Sequence, residues 1–190
     1  NIAHGCNTVM ATRLGLSLAD LVVTEAGFGA DLGAEKFFDI KCRFAGLMPE
    51  ACVIVATVRA LKLHGGVAFA KVGEPNPDAV ARGLENLDKH VENIRKFEQR
   101  CVVAINHFPT DTADEIEVAR RHCDILGIQA VVSRSFVEGG TGSQELAEVR
   151  LSLRFRKKFG TDEIRQISPH EPSHKGENRS QKNSSPSHTS

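Results

Sequence analysis

The sequence predicts an α/β fold in which a parallel sheet is flanked by helices. The first observation is four short runs rich in β-branched residues, each almost entirely apolar, as strands covered on both faces are. They occupy residues 21–26, 52–58, 101–106 and 130–133. The second observation is helical spacing in the segments between these runs. This alternation of strand and helix is typical of right-handed crossovers, which make the strands parallel.

The helices are predicted from apolar periodicity and from capping residues. The least regular of them covers about residues 7–19, before the first strand. The next two carry apolar residues three and four apart, which lie on one face of a helix. These residues are Phe37, Ile40, Phe44 and Leu47 in one helix, and Val80, Leu84, Leu87, Val91 and Ile94 in the other. The last helix begins at Thr112, which forms a capping box with Glu115, and it ends at Gly127.

The predicted topology places the loops that follow the strands at one edge of the sheet. In a parallel sheet every such loop leaves the carboxyl edge, where open α/β folds bind their ligands. The loops in question are residues 27–32, 59–77, 107–111 and 135–142. Candidate binding residues are therefore sought in these four segments.

The composition is that of an ordinary globular domain and excludes several classes of function. Of the 190 residues, 41% are hydrophobic and 25% charged, and 24 basic residues balance 24 acidic ones. No global field therefore favours nucleic acid or an anionic membrane, and no apolar run approaches the roughly 20 residues that span a bilayer. The five cysteines are odd in number and lack a Cys-x-x-Cys spacing, which argues against a disulfide framework and a structural zinc site.

The stretch around residues 24–39 contains glycines that invite comparison with phosphate-binding loops. Gly27, Gly29 and Gly33 have the spacing G-x-G-x-x-x-G, one residue off the dinucleotide fingerprint. The acid that this fingerprint requires after the second strand is replaced by Arg59, which disfavours a nicotinamide-dependent oxidoreductase. The chain also lacks the motif G-x-x-x-x-G-K-[ST]. The stretch is therefore interpreted as a turn on the ligand-binding edge, with Glu25 and Asp31 as acids of unassigned role.

A cluster of cations follows the second strand. Arg59, Lys62 and His64 could hold a carboxylate or a phosphate, or they could belong to a solvated turn with their charges in water. Sequence alone leaves both interpretations open.

Aromatic residues mark the next two loops. Phe108 and Phe136 could sandwich a flat heterocycle by stacking, or each could be a plug over the core. Asn106 could bind a ring edge through its amide, or close the turn through backbone bonds. No Ser-His-Asp or Cys-His set supports nucleophilic catalysis, and no metal ligands are assigned.

Several segments together resemble the formate–tetrahydrofolate ligase family, also called 10-formyltetrahydrofolate synthetase. They are residues 1–47, 53–67, 85–97 and 102–116, and the most specific string is "VATVRALKLHGG" at residues 55–66. The resemblance runs to about Glu148. Because chains of this family are much longer and this one begins at Asn1, we expect an internal fragment of such an enzyme.

The resemblance implies a fold related to the P-loop nucleotide hydrolases and a homo-oligomeric, usually tetrameric, enzyme. The family joins formate to tetrahydrofolate at the expense of ATP, through formyl phosphate, and yields 10-formyltetrahydrofolate, ADP and phosphate for one-carbon metabolism and purine biosynthesis. The phosphoryl oxygens of such a reaction are usually neutralised by a P-loop lysine and Mg²⁺. The family's P-loop lies upstream of this chain's start, in agreement with the motif's absence.

The resemblance also implies roles for particular residues. Phe108 and Phe136 match the two aromatics that hold the folate ring, although many members carry tryptophan at the second position. Asn1, His4, Gly5 and Asn106 match the surroundings of the acyl phosphate and nucleotide. For Arg59 and Lys62 the match is to the signature string alone, and with His4 they are our candidate catalytic residues.

The predicted organisation has three parts. Residues 1–150 form a partial α/β domain without the P-loop, residues 151–166 are an uncertain join, and residues 167–190 are a disordered polar tail atypical of the family. We expect a cytoplasmic protein, with a mitochondrial location left open, whose partners are formate, ATP and tetrahydrofolate rather than nucleic acid or membrane. We also expect the isolated chain to be inactive. The alternative is a non-catalytic module that binds folate or assembles subunits.

Overall fold

The computed structural model describes residues 4–149 of the chain. The predicted join at 151–166, the predicted tail at 167–190 and Asn1 lie outside the described residues. Three parallel strands form one sheet in the order β1 (Cys52–Ala56), β2 (Cys101–Asn106) and β3 (Ala130–Ser133). The predicted α/β class with a parallel sheet is confirmed.

The prediction of a strand at residues 21–26 is wrong, because this stretch is irregular. Val23 is 73% exposed, and no strand within residues 4–149 pairs with the segment. Strand propensity reflects how well a side chain packs against neighbouring strands, so an apolar, β-branched run without such a neighbour does not form a strand.

The helices before β1 begin with α1 (Val9–Leu18), which confirms the predicted first helix. The predicted second helix is also present, but its turns Ala30–Ala34 and Phe37–Cys42 have π-type hydrogen bonding. The regular parts are residues 35–36 and α2 (Arg43–Ala45). This helical segment ends before Gly46, as expected from the left-handed φ of 64° at that glycine.

The helix α3 (Val58–His64) was not predicted, since residues 59–77 were expected to form a loop. The helix is only two turns long, too short for an apolar period to stand out. Thr57 caps it by accepting a hydrogen bond from the backbone N–H of Ala60 at 3.1 Å. A short 3₁₀ turn, Phe69–Lys71, follows it.

The remaining helices agree with the predictions. Helix α4 (Pro77–Lys96) carries the predicted apolar stripe, and α5 (Ala113–Ile125) begins with the predicted capping box between Thr112 and Glu115. After β3 come the short helix α6 (Ser135–Glu138), the 3₁₀ turn Thr141–Ser143 and the helical residues 144–149. No helix in the described part of the chain is long and apolar enough to cross a membrane.

One face of the sheet is covered by helices, and the other is covered at β2 and β3 but open at β1, where Val55 is 65% exposed. On one face Val103 and Ile105 pack with buried residues of α3, α4 and α5. On the other face Val102 and Val131 pack with Val149 from the helical residues 144–149. Each fully buried side chain of this kind stabilises the fold by about 1.5–3 kcal/mol. The sheet is therefore a rigid base from which the loops after β2 and β3 project.

Candidate functional site

The carboxyl ends of β2 and β3 lie side by side. Asn106, the last residue of β2, is opposite Ser133, the last residue of β3, and the backbone N–H of His107 donates to the Ser133 carbonyl at 2.9 Å. The loops that follow the two strands therefore start next to each other. Asn106 is half-buried at their junction, where its side chain lies at the predicted ligand-binding edge.

The two aromatic residues of these loops are in contact. The rings of Phe108 and Phe136 have centroids 4.9 Å apart and planes tilted by 50°. Phe136 lies on α6 and is 66% exposed. A heterocycle stacked between two rings needs about 7 Å, since each contact takes about 3.5 Å. The rings now occupy that space themselves, so a flat ligand would have to separate them.

The loop after β2 is held by Asp111. Its Oδ2 accepts a hydrogen bond from the backbone N–H of Phe108 at 2.8 Å, and its own N–H donates to the Phe108 carbonyl at 2.9 Å. Asp111 is only 8% exposed, and its second oxygen, Oδ1, has no hydrogen-bond partner among residues 4–149. The buried Nδ1 of His107 likewise has none there. Buried polar atoms without partners are rare in folded proteins, so these two atoms are candidates for contact with a bound molecule.

The loop after β3 is fastened at its base. The backbone N–H of Arg134 donates to the Gly142 carbonyl at 2.9 Å. The hydroxyl of Ser133 lies 3.1 Å from that of Ser135 and 3.4 Å from that of Ser143. Phe136 stands between these fixed points, on the four-residue helix α6, which ends at Glu138.

The signature string at residues 55–66 does not form a solvated turn. Lys62 is fully buried, and its Nζ lies 2.9 Å from Oε1 of Glu115 and 3.0 Å from the Glu74 carbonyl oxygen. Arg59 and His64, also on α3, are exposed. Of the three cations, only Lys62 is thus built into the core of the fold, while the other two face solvent.

Glu115 is the centre of this buried network. Its Oε1 also accepts from the Asn76 N–H at 2.8 Å, and its Oε2 accepts from the N–H and hydroxyl of Thr112, both at 2.9 Å. Burial on its own raises the pKa of Glu115, but the hydrogen bonds from Thr112, Asn76 and Lys62 outweigh it, and the net pKa is lowered. The ionised carboxylate thereby ties together α3 and the starts of α4 and α5.

Lys41 is a second buried cation, and the sequence contained no signal for it. It is 3% exposed, its Nζ donates to Oδ1 of Asn7 and, at 2.9 Å, to the hydroxyl of Thr12, and it lies 5.1 Å from the ring centroid of Phe37. Within residues 4–149 no carboxylate forms an ion pair with it. Burial lowers the pKa of Lys41, and the neighbouring thiols of Cys42 and Cys6 oppose this effect.

The start of the chain contacts the glycine stretch. Gly5 is buried with a φ of 86°, and a Cβ there would lie 2.0 Å from the carbonyl oxygen of Gly33, so only glycine fits. His4 is exposed, and its Nδ1 accepts from the Cys6 N–H at 3.1 Å. The structure thus brings His4 and Gly5 beside the glycine stretch, whereas Asn1 lies outside the described residues.

The acids of the glycine stretch do not form a cluster. Glu25 and Asp31 are exposed, and Oδ1 of Asp31 lies 3.9 Å from Nδ1 of His90. The described part of the chain contains no group of three or more His, Cys, Asp or Glu residues that could hold a metal ion.

Comparison with known proteins gives consistent results. Residues 1–168 match the family model described as formate–tetrahydrofolate ligase. The chain is 53% identical over 149 residues to the formate–tetrahydrofolate ligase of Bacteroides thetaiotaomicron, and 54% identical over 153 residues to that of Porphyromonas gingivalis. It is 60% identical over 147 residues to that of Rhizobium rhizogenes. These alignments cover 77–80% of this chain but only 26–28% of the relatives.

Proposed function

The chain belongs to the formate–tetrahydrofolate ligase family, and on that premise we propose that it carries the folate side of a site that joins formate to tetrahydrofolate. The complete reaction uses ATP, passes through formyl phosphate and yields 10-formyltetrahydrofolate, ADP and phosphate. The observation that carries the proposal is the contact between Phe108 and Phe136 at the carboxyl edge of the sheet, with centroids 4.9 Å apart.

The folate ring binds by separating these two aromatic rings. Phe136 moves, because it is 66% exposed and stands on a short helix, whereas the backbone of Phe108 is held by Asp111. Stacking of a flat base on an aromatic side chain contributes about 1–3 kcal/mol, which offsets the loss of the contact between the two phenylalanines. Asn106, at the end of β2 and two residues before Phe108, is proposed to contribute its amide to the same ring or to the acyl group.

The candidate catalytic residues take different roles. Arg59 is exposed at the start of α3 and is proposed to neutralise phosphoryl or carboxylate oxygens, since a guanidinium binds both in a bidentate manner. His4 and Gly5 are proposed to lie beside the acyl phosphate with Asn1. Lys62 is proposed to position α3 rather than contact substrate, because its ammonium is already bound to Glu115.

The nucleotide and its Mg²⁺ do not fit the described residues. The chain lacks the P-loop lysine motif, and the described residues offer no cluster of metal-binding side chains. Apart from the contacts proposed above for Arg59, His4 and Gly5, we therefore assign no residue of this part of the chain to ATP or Mg²⁺. Transfer of a phosphoryl group to formate is proposed to depend on protein segments beyond the quarter of the relatives' length that this chain spans.

A second candidate function is assembly with other polypeptide segments or copies of the chain. Large apolar side chains are exposed on α1 and on the segments that follow it: Met10 at 80%, Leu18 at 77%, Val23 at 73%, Phe44 at 84% and Met48 at 74%. Such an accumulation of exposed apolar surface is typical of a surface that packs against another protein. This function is compatible with folate binding and with a homo-oligomeric enzyme.

Calorimetric titration with tetrahydrofolate tests the folate site. Saturable heat is expected with the wild-type chain and with Ile125→Ala, a control at the opposite end of α5 where the side chain is 83% exposed. Phe108→Ala is expected to weaken binding at least tenfold. No heat from the wild type, or equal binding by Phe108→Ala, would remove the folate site. Accumulation of 10-formyltetrahydrofolate from ATP, formate and tetrahydrofolate would contradict the expected inactivity of the isolated chain.

A further inference from the structure

We propose that Oδ1 of Asp111 accepts a hydrogen bond from the polar N–H edge of the heterocycle that lies against Phe108. Asp111 would then be a specificity-determining residue, which distinguishes a pteridine with its ring amino group from one without it. The inference rests on the folate site proposed above and adds the residue that recognises the N–H edge of the ring.

Only one of the two carboxylate oxygens of Asp111 forms a hydrogen bond within the described residues. Oδ2 accepts from the Phe108 N–H at 2.8 Å, while Oδ1 is buried without a partner among residues 4–149. An ionised carboxylate only accepts hydrogen bonds and has room for about four of them. A group that is 8% exposed and keeps one oxygen unsatisfied therefore has capacity for a donor that the described chain does not supply.

This oxygen belongs to the residue that anchors the loop of the proposed ring site. The carboxylate accepts a hydrogen bond from the backbone N–H of Phe108, so it lies close to the Cα of the residue whose ring contacts Phe136. The other buried unpartnered atom, Nδ1 of His107, belongs to the residue immediately before Phe108. Both unsatisfied atoms thus belong to the five-residue loop, residues 107–111, that presents the aromatic ring.

The charge at this position selects the kind of donor. No lysine, arginine or histidine within the described range forms an ion pair with Asp111. The carboxylate is therefore free to make charge-assisted hydrogen bonds, which are stronger than neutral ones. The amino and ring N–H groups of a reduced pteridine are adjacent donors in the plane of the ring. A ring stacked on Phe108 can turn this edge toward Oδ1.

Because the loop is anchored, the carboxylate of Asp111 is held in place before a ligand binds. Asp111 and the backbone of Phe108 are joined by two hydrogen bonds, so the carboxylate and the start of the Phe108 side chain keep their relative positions when Phe136 moves aside. Little ordering is then required on binding, which favours affinity and discrimination. A site with a buried polar group rejects an analogue that lacks the matching donor, because the group stays unpaired.

The test compares two probes, 5-formyltetrahydrofolate and its 2-desamino analogue, by calorimetry with the full chain. We expect the wild type to bind the amino probe about 10- to 100-fold more tightly, the range of a hydrogen bond to a charged group. Asp111→Asn keeps an oxygen for the Phe108 N–H but replaces the free acceptor by a donor, so the ratio should fall to about one or below. Asp111→Ser retains a weaker cap and should give the same loss of discrimination. Asp114→Asn, an exposed acid in the first turn of α5, should keep the wild-type ratio.

The outcomes separate the inference from the function on which it rests. A wild-type chain that binds neither probe removes the folate site itself. Binding of both probes with a wild-type ratio near one, or an equal weakening of both probes in Asp111→Asn, overturns the inference and leaves the folate site in place. In the wild type labelled with ¹³C, the carboxyl signal of Asp111 should shift with the amino probe and not with the desamino probe. Identical shifts with the two probes would indicate that an ordered water, not the ligand, satisfies Oδ1.

Discussion

The ammonium of Lys62 lies 2.9 Å from Oε1 of Glu115, and both side chains are buried. The pair joins the helix of the signature string to the helix that follows β2. The loop residues 107–111 lie between β2 and this second helix. The ion pair therefore holds in place the helix that directly follows the loop of the proposed folate site.

Glu115→Gln is expected to destabilise the chain strongly. The substitution removes the charge that compensates the buried ammonium of Lys62, and loss of one partner of such a pair costs about 3–5 kcal/mol. Urea unfolding measures the difference. Glu117→Gln on the same helix, where the side chain is 45% exposed, is the control and is expected within about 0.5 kcal/mol of the wild type. A loss below about 1 kcal/mol in Glu115→Gln would show that the network is not a principal source of stability.

Lys41→Met is expected to change the pH dependence of stability. Because burial lowers the pKa of Lys41 in the folded chain below its ordinary 10.5, the unfolded chain binds more protons between the two values. Stability from this residue therefore rises with pH in that interval, and its destabilising effect is fully present below the folded pKa. Urea unfolding from pH 7 upward should give a flatter profile in Lys41→Met than in the wild type or in the exposed Lys71→Met. Parallel profiles for all three proteins would contradict this account.

Gly83→Ala is expected to push α3 away from α4. A Cβ at Gly83 would lie 1.9 Å from the carbonyl oxygen of Leu61, a backbone atom that cannot move aside alone. Overpacking of this kind costs about 1–3 kcal/mol. Thermal unfolding of Gly83→Ala should show the loss, whereas Gly73→Ala, where a Cβ meets nothing within 4 Å, should be close to neutral. Equal melting temperatures for the two variants would refute the close contact.

Cys123 is expected to be inert toward thiol reagents in the folded chain. Burial raises its pKa to about 11, with further contributions from Asp124 and Asp88, so almost no thiolate exists at pH 8. Titration with a chromogenic disulfide should show rapid reaction of all five cysteines in urea, but protection of Cys123 without it. Mass mapping identifies the labelled positions, and fast labelling of Cys123 under native conditions would be the opposite result.

The parts of the fold that were predicted correctly from the sequence depend on local signals. The capping box of Thr112 and Glu115 and the apolar stripe of α4 are visible within a few residues. The irregular stretch at residues 21–26 was misassigned because a strand also requires a neighbour, which composition does not reveal. The helix α3 was missed because seven residues are too few for a clear period.

The candidate site likewise has features that the sequence predicted and features that it did not. The neighbouring positions of Phe108 and Phe136 followed from the parallel topology, which brings the two loops to one edge. The burial of Lys62 and the unsatisfied oxygen of Asp111 were not predictable. The first depends on the contact of Lys62 with Glu115, which only folding creates. The second depends on the lack of a donor near Oδ1 among the described residues.

The most direct test of the folate site uses Phe136→Trp. The chain contains no tryptophan or tyrosine, so the new indole reports from that position alone, and many family members are expected to carry tryptophan there. Titration with tetrahydrofolate should change its emission along a saturable curve, and the larger ring should bind at least as tightly as the wild type. Phe69→Trp, at a position 74% exposed, should show no saturable change. Unchanged emission from folded Phe136→Trp at saturating tetrahydrofolate would contradict the central claim that this edge binds the folate ring.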